Sequence, residues 1–176
     1  MLDASIPSLP IGRKILVLGC PGCGKSTFAR KLQEKTKFPL IHLDNIWWKP
    51  DRTHITREEF DRQLDEILCG DAWIVDGYYH RTVERRLRAC DTVVFLDLSE
   101  ALCMQGITER IGTVRPDMPW TEEMLDPELA DLVRKFHTES RPTLLALLEQ
   151  YPDKQLLRFS SRAEADTWLD RLPNAT

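Results

Sequence analysis

The stretch KILVLGCPGCGKS, residues 14–26, decides the fold of this chain. Its first five residues form an apolar run typical of a buried strand. Residues 19–26 match the pattern GxxxxGK[ST], whose glycines let the backbone wrap round phosphate groups with N–H groups pointing inward. A helical pattern runs from Lys25 to about Lys35, and the positive end of its dipole would face the same anion. The stretch therefore predicts a strand, a phosphate-binding loop and a helix.

The predicted loop is expected to bind a nucleoside triphosphate, namely ATP with Mg²⁺. Lys25 would reach the β- and γ-phosphates, and Ser26 would hold the metal ion. A chain of this length matches the pattern by chance on the order of one time in a hundred, and the flanking strand and helix make coincidence rarer still. The residues predicted to contact ATP are Gly19, Cys20, Pro21, Gly22, Cys23, Gly24, Lys25, Ser26 and Thr27.

The composition is that of a globular domain. The 176 residues are 42% hydrophobic and 30% charged, which suits one compact core and argues against disorder. The net charge of −4 and the absence of a long basic run make nucleic-acid binding unfavourable. Residues 1–12, predicted to be a loose leader, do not resemble a signal peptide, and no apolar run could cross a bilayer. The odd number of cysteines, five, argues against the disulfide framework of a secreted protein. The sequence therefore predicts a cytoplasmic protein without a membrane partner.

Strand-like apolar runs alternate with helical patterns along the rest of the chain. Further strands are predicted at 39–43, 72–75, 92–96 and 154–159, and helices at 56–68, 83–90, 99–111, 121–150 with a bend or break near Pro142, and from 161 onward. This alternation predicts a single α/β domain over residues 1–176, with a five-stranded parallel sheet between two layers of helices. Ligands of such sheets bind at the carboxyl ends of the strands. Asp44 and Asp76 lie at two of those ends.

Five segments support a family resemblance. They are GCPGCGKSTFARKL (19–32), IHLDNIWWKP (41–50), WIVDGYYHRT (73–82), DTVVFLDL (91–98) and RPDM (115–118). In this order they resemble the adenylate-kinase-like branch of the P-loop kinases and, more narrowly, the bacterial DNA topology modulation proteins. The resemblance implies a P-loop NTPase fold with strand order 2-3-1-4-5. It also implies an acceptor-binding segment at about 45–71 and a short lid at about 110–120.

The implied strand order separates the two carboxylates. Strand 3 would lie beside strand 1, which puts Asp76 next to Mg²⁺ as a Walker-B-like ligand. Strand 2 would lie one place further out, so Asp44 would face the phosphoryl acceptor and take its proton or orient it. The alternatives are a turn residue in the Asp-Gly pair for Asp76 and a helix cap for Asp44.

Arginines and tryptophans complete the candidate site. By the resemblance, Arg81 corresponds to an acceptor-phosphate arginine, although a solvated helix face shared with other arginines is the alternative. Arg110 and Arg115 flank the implied lid, and one of them could act as an arginine finger supplied by the same chain. Of the adjacent Trp47 and Trp48, one is expected to line the acceptor pocket, with core packing as the alternative.

The cysteines and histidines are assigned no catalytic role. Cys20 and Cys23 form a CxxC pattern, which their positions in the phosphate loop explain without redox catalysis. A cysteine beside the loop amides and Lys25 is nevertheless expected to have a lowered pKa, which would make ATP binding sensitive to oxidants. The four histidines, His42, His54, His80 and His137, lack metal-ligand spacing and are expected to be surface or packing residues.

Two functions follow from these patterns. The first is an ATP-dependent phosphotransferase acting on a small molecule such as a nucleotide or nucleoside. The second is a nucleotide-dependent regulatory switch that binds a protein or DNA and has weak ATPase activity. The paired carboxylates and the arginines of the lid favour the phosphotransferase.

Overall fold

The computed structural model describes residues 11–174, so the predicted leader lies almost wholly outside the described residues. The strands are β1 (Lys14–Gly19), β2 (Leu40–His42), β3 (Trp73–Asp76), β4 (Thr92–Leu96) and β5 (Gln155–Phe159). The helices are α1 (Lys25–Thr36), α2 (Leu43–Trp47), α3 (Arg57–Leu68), α4 (His80–Ala89), α5 (Glu100–Glu109), α6 (Pro127–Lys135), α7 (Arg141–Leu148) and α8 (Arg162–Arg171). A π-helical turn, Phe136–Ser140, joins α6 to α7.

The five strands are parallel and ordered β2-β3-β1-β4-β5, which confirms the predicted fold class and strand order. β1 is the central strand, and its residues 15–18 are fully buried. α1 packs on β1, β2 and β3 and meets α8, while α4 also packs on β1. Right-handed crossovers place α1 and α8 on one face of the sheet and α3, α4 and the α5–α7 segment on the other.

Two of the predicted elements, the second strand and the helix at 121–150, have boundaries that the structure corrects. The second strand ends at His42, and Leu43 begins the short helix α2, so Asp44 lies in a helical turn directly after the strand. The predicted helix at 121–150 begins only at Pro127, because the Asp126 side chain caps it by accepting from Glu128 N–H. The chain stays helical through Pro142 by way of the π turn, which suits a residue that has no N–H to donate.

Within residues 11–174, no helix is both long enough and apolar enough to cross a membrane.

Candidate active site

The phosphate loop connects β1 to α1 and opens into a cleft of about 730 Å³. Gly22 and Gly24 have φ values of 80° and 103°, a region that favours glycine. A side chain at Gly22 would also collide with the backbone, because its Cβ would lie 2.1 Å from Cys103 O. Lys25 Nζ donates a hydrogen bond to Cys20 O at 2.8 Å and so spans the loop. The loop residues that line the cleft are Pro21, Gly22, Gly24, Lys25, Ser26 and Thr27.

The three other predicted ATP contacts, Gly19, Cys20 and Cys23, lie outside the described lining of the cleft. Both sulfur-bearing side chains are fully buried. The expected lowering of their pKa is wrong. A hydrogen bond with Cys103 and burial raise the pKa of Cys20, and burial raises the pKa of Cys23 despite the nearby Lys25.

Asp76 lies directly behind the loop. Register pairs it with Val17 of β1 and His42 of β2, which brings it beside Ser26 at the start of α1. Asp76 Oδ2 accepts a hydrogen bond from the Ser26 hydroxyl at 2.7 Å and lies 2.7 Å from His42 Nδ1. The other oxygen, Oδ1, is buried and has no hydrogen-bond partner among residues 11–174. A hydroxyl and a carboxylate with an open oxygen are donors that suit Mg²⁺.

His42, expected to be a surface or packing residue, packs against Asp76 and lies outside the described lining of the cleft. Its side chain is only 10% exposed and contacts the carboxylate that faces the loop. The HLD sequence, which places His42 two residues before Asp44, is a local signal for this contact.

Asp44 lines the same cleft as Lys25 and Asp76. Its Oδ1 accepts a hydrogen bond from the Tyr79 hydroxyl at 2.7 Å. Burial raises the pKa of Asp44, and the Tyr79 hydroxyl partly offsets this effect. The structure thus brings together two carboxylates and the loop lysine, each from a different strand tip.

Tyr79 is held in place by an arginine that sequence reasoning missed. Arg86 is fully buried and donates to the carbonyls of Gly77, Tyr78 and Tyr79, at 2.7 Å for Gly77 O and 3.1 Å for Tyr79 O. These bonds fix the turn between β3 and α4, in which Tyr79 has a φ of 34°. The only sequence signal was the spacing of Arg86, which puts it on the apolar face of α4 three residues after Val83.

The lid arginines line the cleft and are engaged in ion pairs. Arg110 pairs with Glu122 at 2.8 Å. Arg115 pairs with Asp117 at 3.1 Å and with Glu122 at 3.5 Å. Burial lowers the pKa of Arg110. Both arginines line the same cleft as the phosphate loop.

Asp117, within the RPDM segment, was not predicted as a site residue. It is 3% exposed and joins the lid to α1 through an ion pair with Arg30 at 3.4 Å. Burial opposes its ionisation, yet the Arg115 guanidinium and the Ser26 hydroxyl hold the pKa of Asp117 below its usual value. The lid is also tied to α2, because Asn45 Nδ2 donates to Pro116 O at 2.8 Å.

Arg81 does not reach the cleft. Its guanidinium makes two hydrogen bonds to the carboxylate of Asp61 on α3, at 2.9 and 2.5 Å, and its side chain is 41% exposed. Because α4 begins at His80, Arg81 falls on the face of that helix turned towards α3. The structure therefore corrects the expected acceptor-side position of Arg81 and agrees with a solvated face, on which Arg88 also pairs with Glu84.

The two tryptophans have different surroundings, although both line the cleft. Trp47 stacks on His54 with ring centroids 4.4 Å apart and meets Phe60 edge-on, as expected for packing. Trp48 meets Trp120 of the lid edge-on at 5.3 Å. Trp48 and Trp120 thus form an aromatic wall between α2 and the lid.

Arg162, at the start of α8, is a further cleft residue that the sequence did not indicate. Its Nη2 donates to Gly22 O at 2.8 Å and to Leu102 O at 3.2 Å. The guanidinium therefore ties the phosphate loop to α5. Its position just after β5 is the only local signal, since strand ends carry ligands in this fold class.

Comparisons with known proteins agree with this fold. A model of the viral superfamily 1 RNA helicase core domain matches residues 15–96, from β1 to the end of β4. The chain is 32% identical over 85 residues to adenylate kinase of Thermotoga neapolitana, a match covering 47% of this chain and 38% of that enzyme. It is 25% identical over 170 residues to adenylate kinase of Mycobacterium tuberculosis, covering 80% of this chain and 87% of that enzyme. The chain thus spans well under half the length of the Thermotoga relatives it matches.

Two solved structures with the same fold are shikimate kinases. The enzyme of Acinetobacter baumannii, in complex with shikimate, superposes with a TM-score of 0.60 at 16% identity over 91% of this chain and 90% of that one. The enzyme of Bacteroides thetaiotaomicron gives a TM-score of 0.55 at 18% identity, over 90% and 94% of the two chains. The fold, the phosphate loop and the sequence matches make this chain similar to P-loop kinases.

Proposed function

We propose that this protein transfers the γ-phosphoryl group of ATP to a hydroxyl group of a small molecule. The observation that carries the proposal is the placement of two carboxylates at the strand tips beside the phosphate loop. Asp76 touches Ser26 and keeps one oxygen open, and Asp44 lies one strand further out in the same cleft. A protein that only bound nucleotide would not need the second carboxylate.

The position of each cleft residue indicates its role in the proposed transfer. The loop and Lys25 would bind the phosphates, while Ser26 and Asp76 would hold Mg²⁺. Bound Mg²⁺ would neutralise charge on the β- and γ-phosphates. Asp44 would orient the acceptor hydroxyl and take its proton; the raised pKa of this buried carboxyl brings its basicity closer to that task.

The lid supplies positive charge and excludes water. Arg110 and Arg115 lie in the cleft but are paired with Glu122 and Asp117, so we propose that they exchange these partners for phosphate oxygens when ATP binds. The acceptor would bind between the β2 tip and the segment at 45–71, against the wall of Trp48 and Trp120. In-line transfer supports this location, because the phosphate loop occupies the opposite side of the γ-phosphate.

Adenylate kinases and a shikimate-bound shikimate kinase are among the proteins that this chain resembles. Nucleosides, nucleotides and shikimate are therefore the first candidate acceptors. The resemblance of the HLD, WWKP and DGYYHRT segments to the DNA topology modulation proteins supports the finer proposal that the chain is a member of that group.

The test is ADP release with ATP, Mg²⁺ and a panel of acceptors, for wild type, Lys25→Ala and Lys31→Ala. Lys31 is on the same helix but exposed and paired with Asp166, so its variant is the matched control. We expect ADP release that depends on the acceptor in wild type and Lys31→Ala, with both ATP binding and turnover lost in Lys25→Ala. Slow hydrolysis that no acceptor accelerates would favour the regulatory switch, and unchanged ATP affinity in Lys25→Ala would refute the nucleotide site.

A further inference from the structure

A second polar cluster lies beneath the phosphate loop and outside the proposed transfer site. It consists of Cys20 in the loop, Cys103 on α5 and His137 in the π turn. The two sulfur atoms and a nitrogen of His137 all lie within 4.8 Å of one another. Both cysteines are free and fully buried.

The histidine of this cluster is surrounded by acceptors. Nδ1 lies 2.9 Å from Val133 O, and Nε2 lies 2.9 Å from Leu98 O. A neutral imidazole has one N–H, so two carbonyl partners require both nitrogens to be protonated. The two contacts favour the imidazolium form of His137, in which neither ring nitrogen has a lone pair for a metal ion.

Each sulfur atom lies near one of the two carbonyls that His137 contacts. Cys20 Sγ lies 3.9 Å from Val133 O, and Cys103 Sγ lies 3.8 Å from Leu98 O. The cation beside them favours ionisation of one thiol. The hydrogen bond from Cys20 and the charges of His137 and Lys25 lower the pKa of Cys103, although burial opposes this. Burial lowers the pKa of His137, but its two carbonyl partners outweigh burial and raise it.

We propose that Cys20 and Cys103 form an oxidisable pair that hydroperoxides convert to a disulfide. The Cys103 thiolate attacks one peroxide oxygen, the O–O bond breaks, and a sulfenic acid forms. The expelled hydroxide or alkoxide takes up the proton that the Cys103 thiol gave up and leaves as water or an alcohol. Cys20 then loses its proton and attacks the Cys103 sulfur. The S–O bond breaks, and the hydroxyl group leaves as water with that proton.

The disulfide would disturb the phosphate loop. The sulfur atoms must approach to about 2.05 Å, which pulls residue 20 towards α5. Cys20 O is the acceptor for Lys25 Nζ, so this movement displaces the lysine. Oxidation is therefore expected to weaken ATP binding reversibly, a consequence that rests on the proposed function. Bound ATP is expected to slow oxidation, because the neighbouring Pro21 and Gly22 line the cleft through which a small oxidant would enter.

The experiment treats the full-length protein with hydrogen peroxide and maps disulfides by mass spectrometry under non-reducing conditions. Wild type should form a Cys20–Cys103 disulfide that dithiothreitol reverses. Cys103→Ser should form none, and Cys69→Ser, which removes the exposed thiol, should behave as wild type. His137→Asn should be oxidised at Cys103 about tenfold more slowly or more, because the thiolate loses its counter-ion.

A second measurement compares ATP affinity before and after oxidation of each variant. Wild type and Cys69→Ser should lose affinity, whereas Cys103→Ser should keep the affinity of its reduced form. A disulfide in wild type without ATP binding by the reduced protein would refute the proposed function and leave the redox pair standing. Three results would overturn the redox pair itself. They are disulfides at other positions, oxidation of Cys103 in His137→Asn at the wild-type rate, and stoichiometric zinc in the purified protein that His137→Asn removes.

Discussion

The Tyr79 hydroxyl donates a 2.7 Å hydrogen bond to Asp44 Oδ1 and so orients the carboxylate proposed to act on the acceptor. This contact joins the β2 tip to the turn after β3. Burial raises the pKa of Asp44, whereas the hydrogen bond from Tyr79 lowers it. The tyrosine therefore increases the fraction of the carboxyl that is ionised at a given pH, although burial has the larger effect.

Tyr79→Phe should move the acidic limb of the turnover profile to higher pH. Asp44 acts in its ionised form, so activity is lost as pH falls through its raised pKa, and removal of the hydroxyl raises that pKa further. The measurement is acceptor-dependent ADP release against pH. Tyr151→Phe is the control, because Tyr151 bonds Arg88 and Glu84 at the surface. An acidic limb that stays in place or moves down would contradict this role.

Asp44→Asn should lower acceptor-dependent turnover by about 10²-fold or more if the carboxylate takes the proton. ATP affinity should change little, because β3 separates Asp44 from the strand that leads into the phosphate loop. Turnover and ATP binding by calorimetry test both parts, with Asp170→Asn on the exposed face of α8 as the control. Equal loss of ATP binding and turnover would assign Asp44 to the metal instead.

Local sequence patterns were enough to predict much of this site. The loop pattern and the alternation of strands and helices predicted the sheet. Asp44 and Asp76 could be found because each lies at or just beyond the carboxyl end of a strand. The strand order needed the family resemblance. It determined which carboxylate lies nearer Ser26, and the register of β1 with β3 agrees with that assignment.

Residues that act through distant partners could not be predicted in this way. Arg162 contacts Gly22, 140 positions away, and Cys20 lies near Cys103 and His137 only in the folded chain. The expected acceptor role of Arg81 came from the resemblance, which carried no information about its partner Asp61, 20 positions earlier on α3. Spacing along the chain carries no information about such contacts.

Arg86→Met should lower the free energy of unfolding by about 3 kcal/mol or more, because three carbonyls packed around the buried guanidinium lose their donor. Arg85→Met, on the same helix but exposed and paired with Asp65, should cost within about 1 kcal/mol. Urea denaturation of both variants gives the comparison. Similar stability of the two variants would show that the turn at 77–79 holds without Arg86.

Arg115 and Arg81 were both expected to be site residues, but only Arg115 lines the cleft. Arg115→Ala should lower turnover by about 10²-fold or more, because the lid would lose a cation aimed at the transferred group. Arg81→Ala should stay within about twofold of wild type, since its guanidinium pairs with Asp61 outside the cleft. Both are single arginine truncations, so turnover at saturating ATP and acceptor compares them directly. A large loss in Arg81→Ala with little loss in Arg115→Ala would mean that Arg81 leaves Asp61 when substrates bind, and that the acceptor lies nearer α4 than the wall of Trp48 and Trp120.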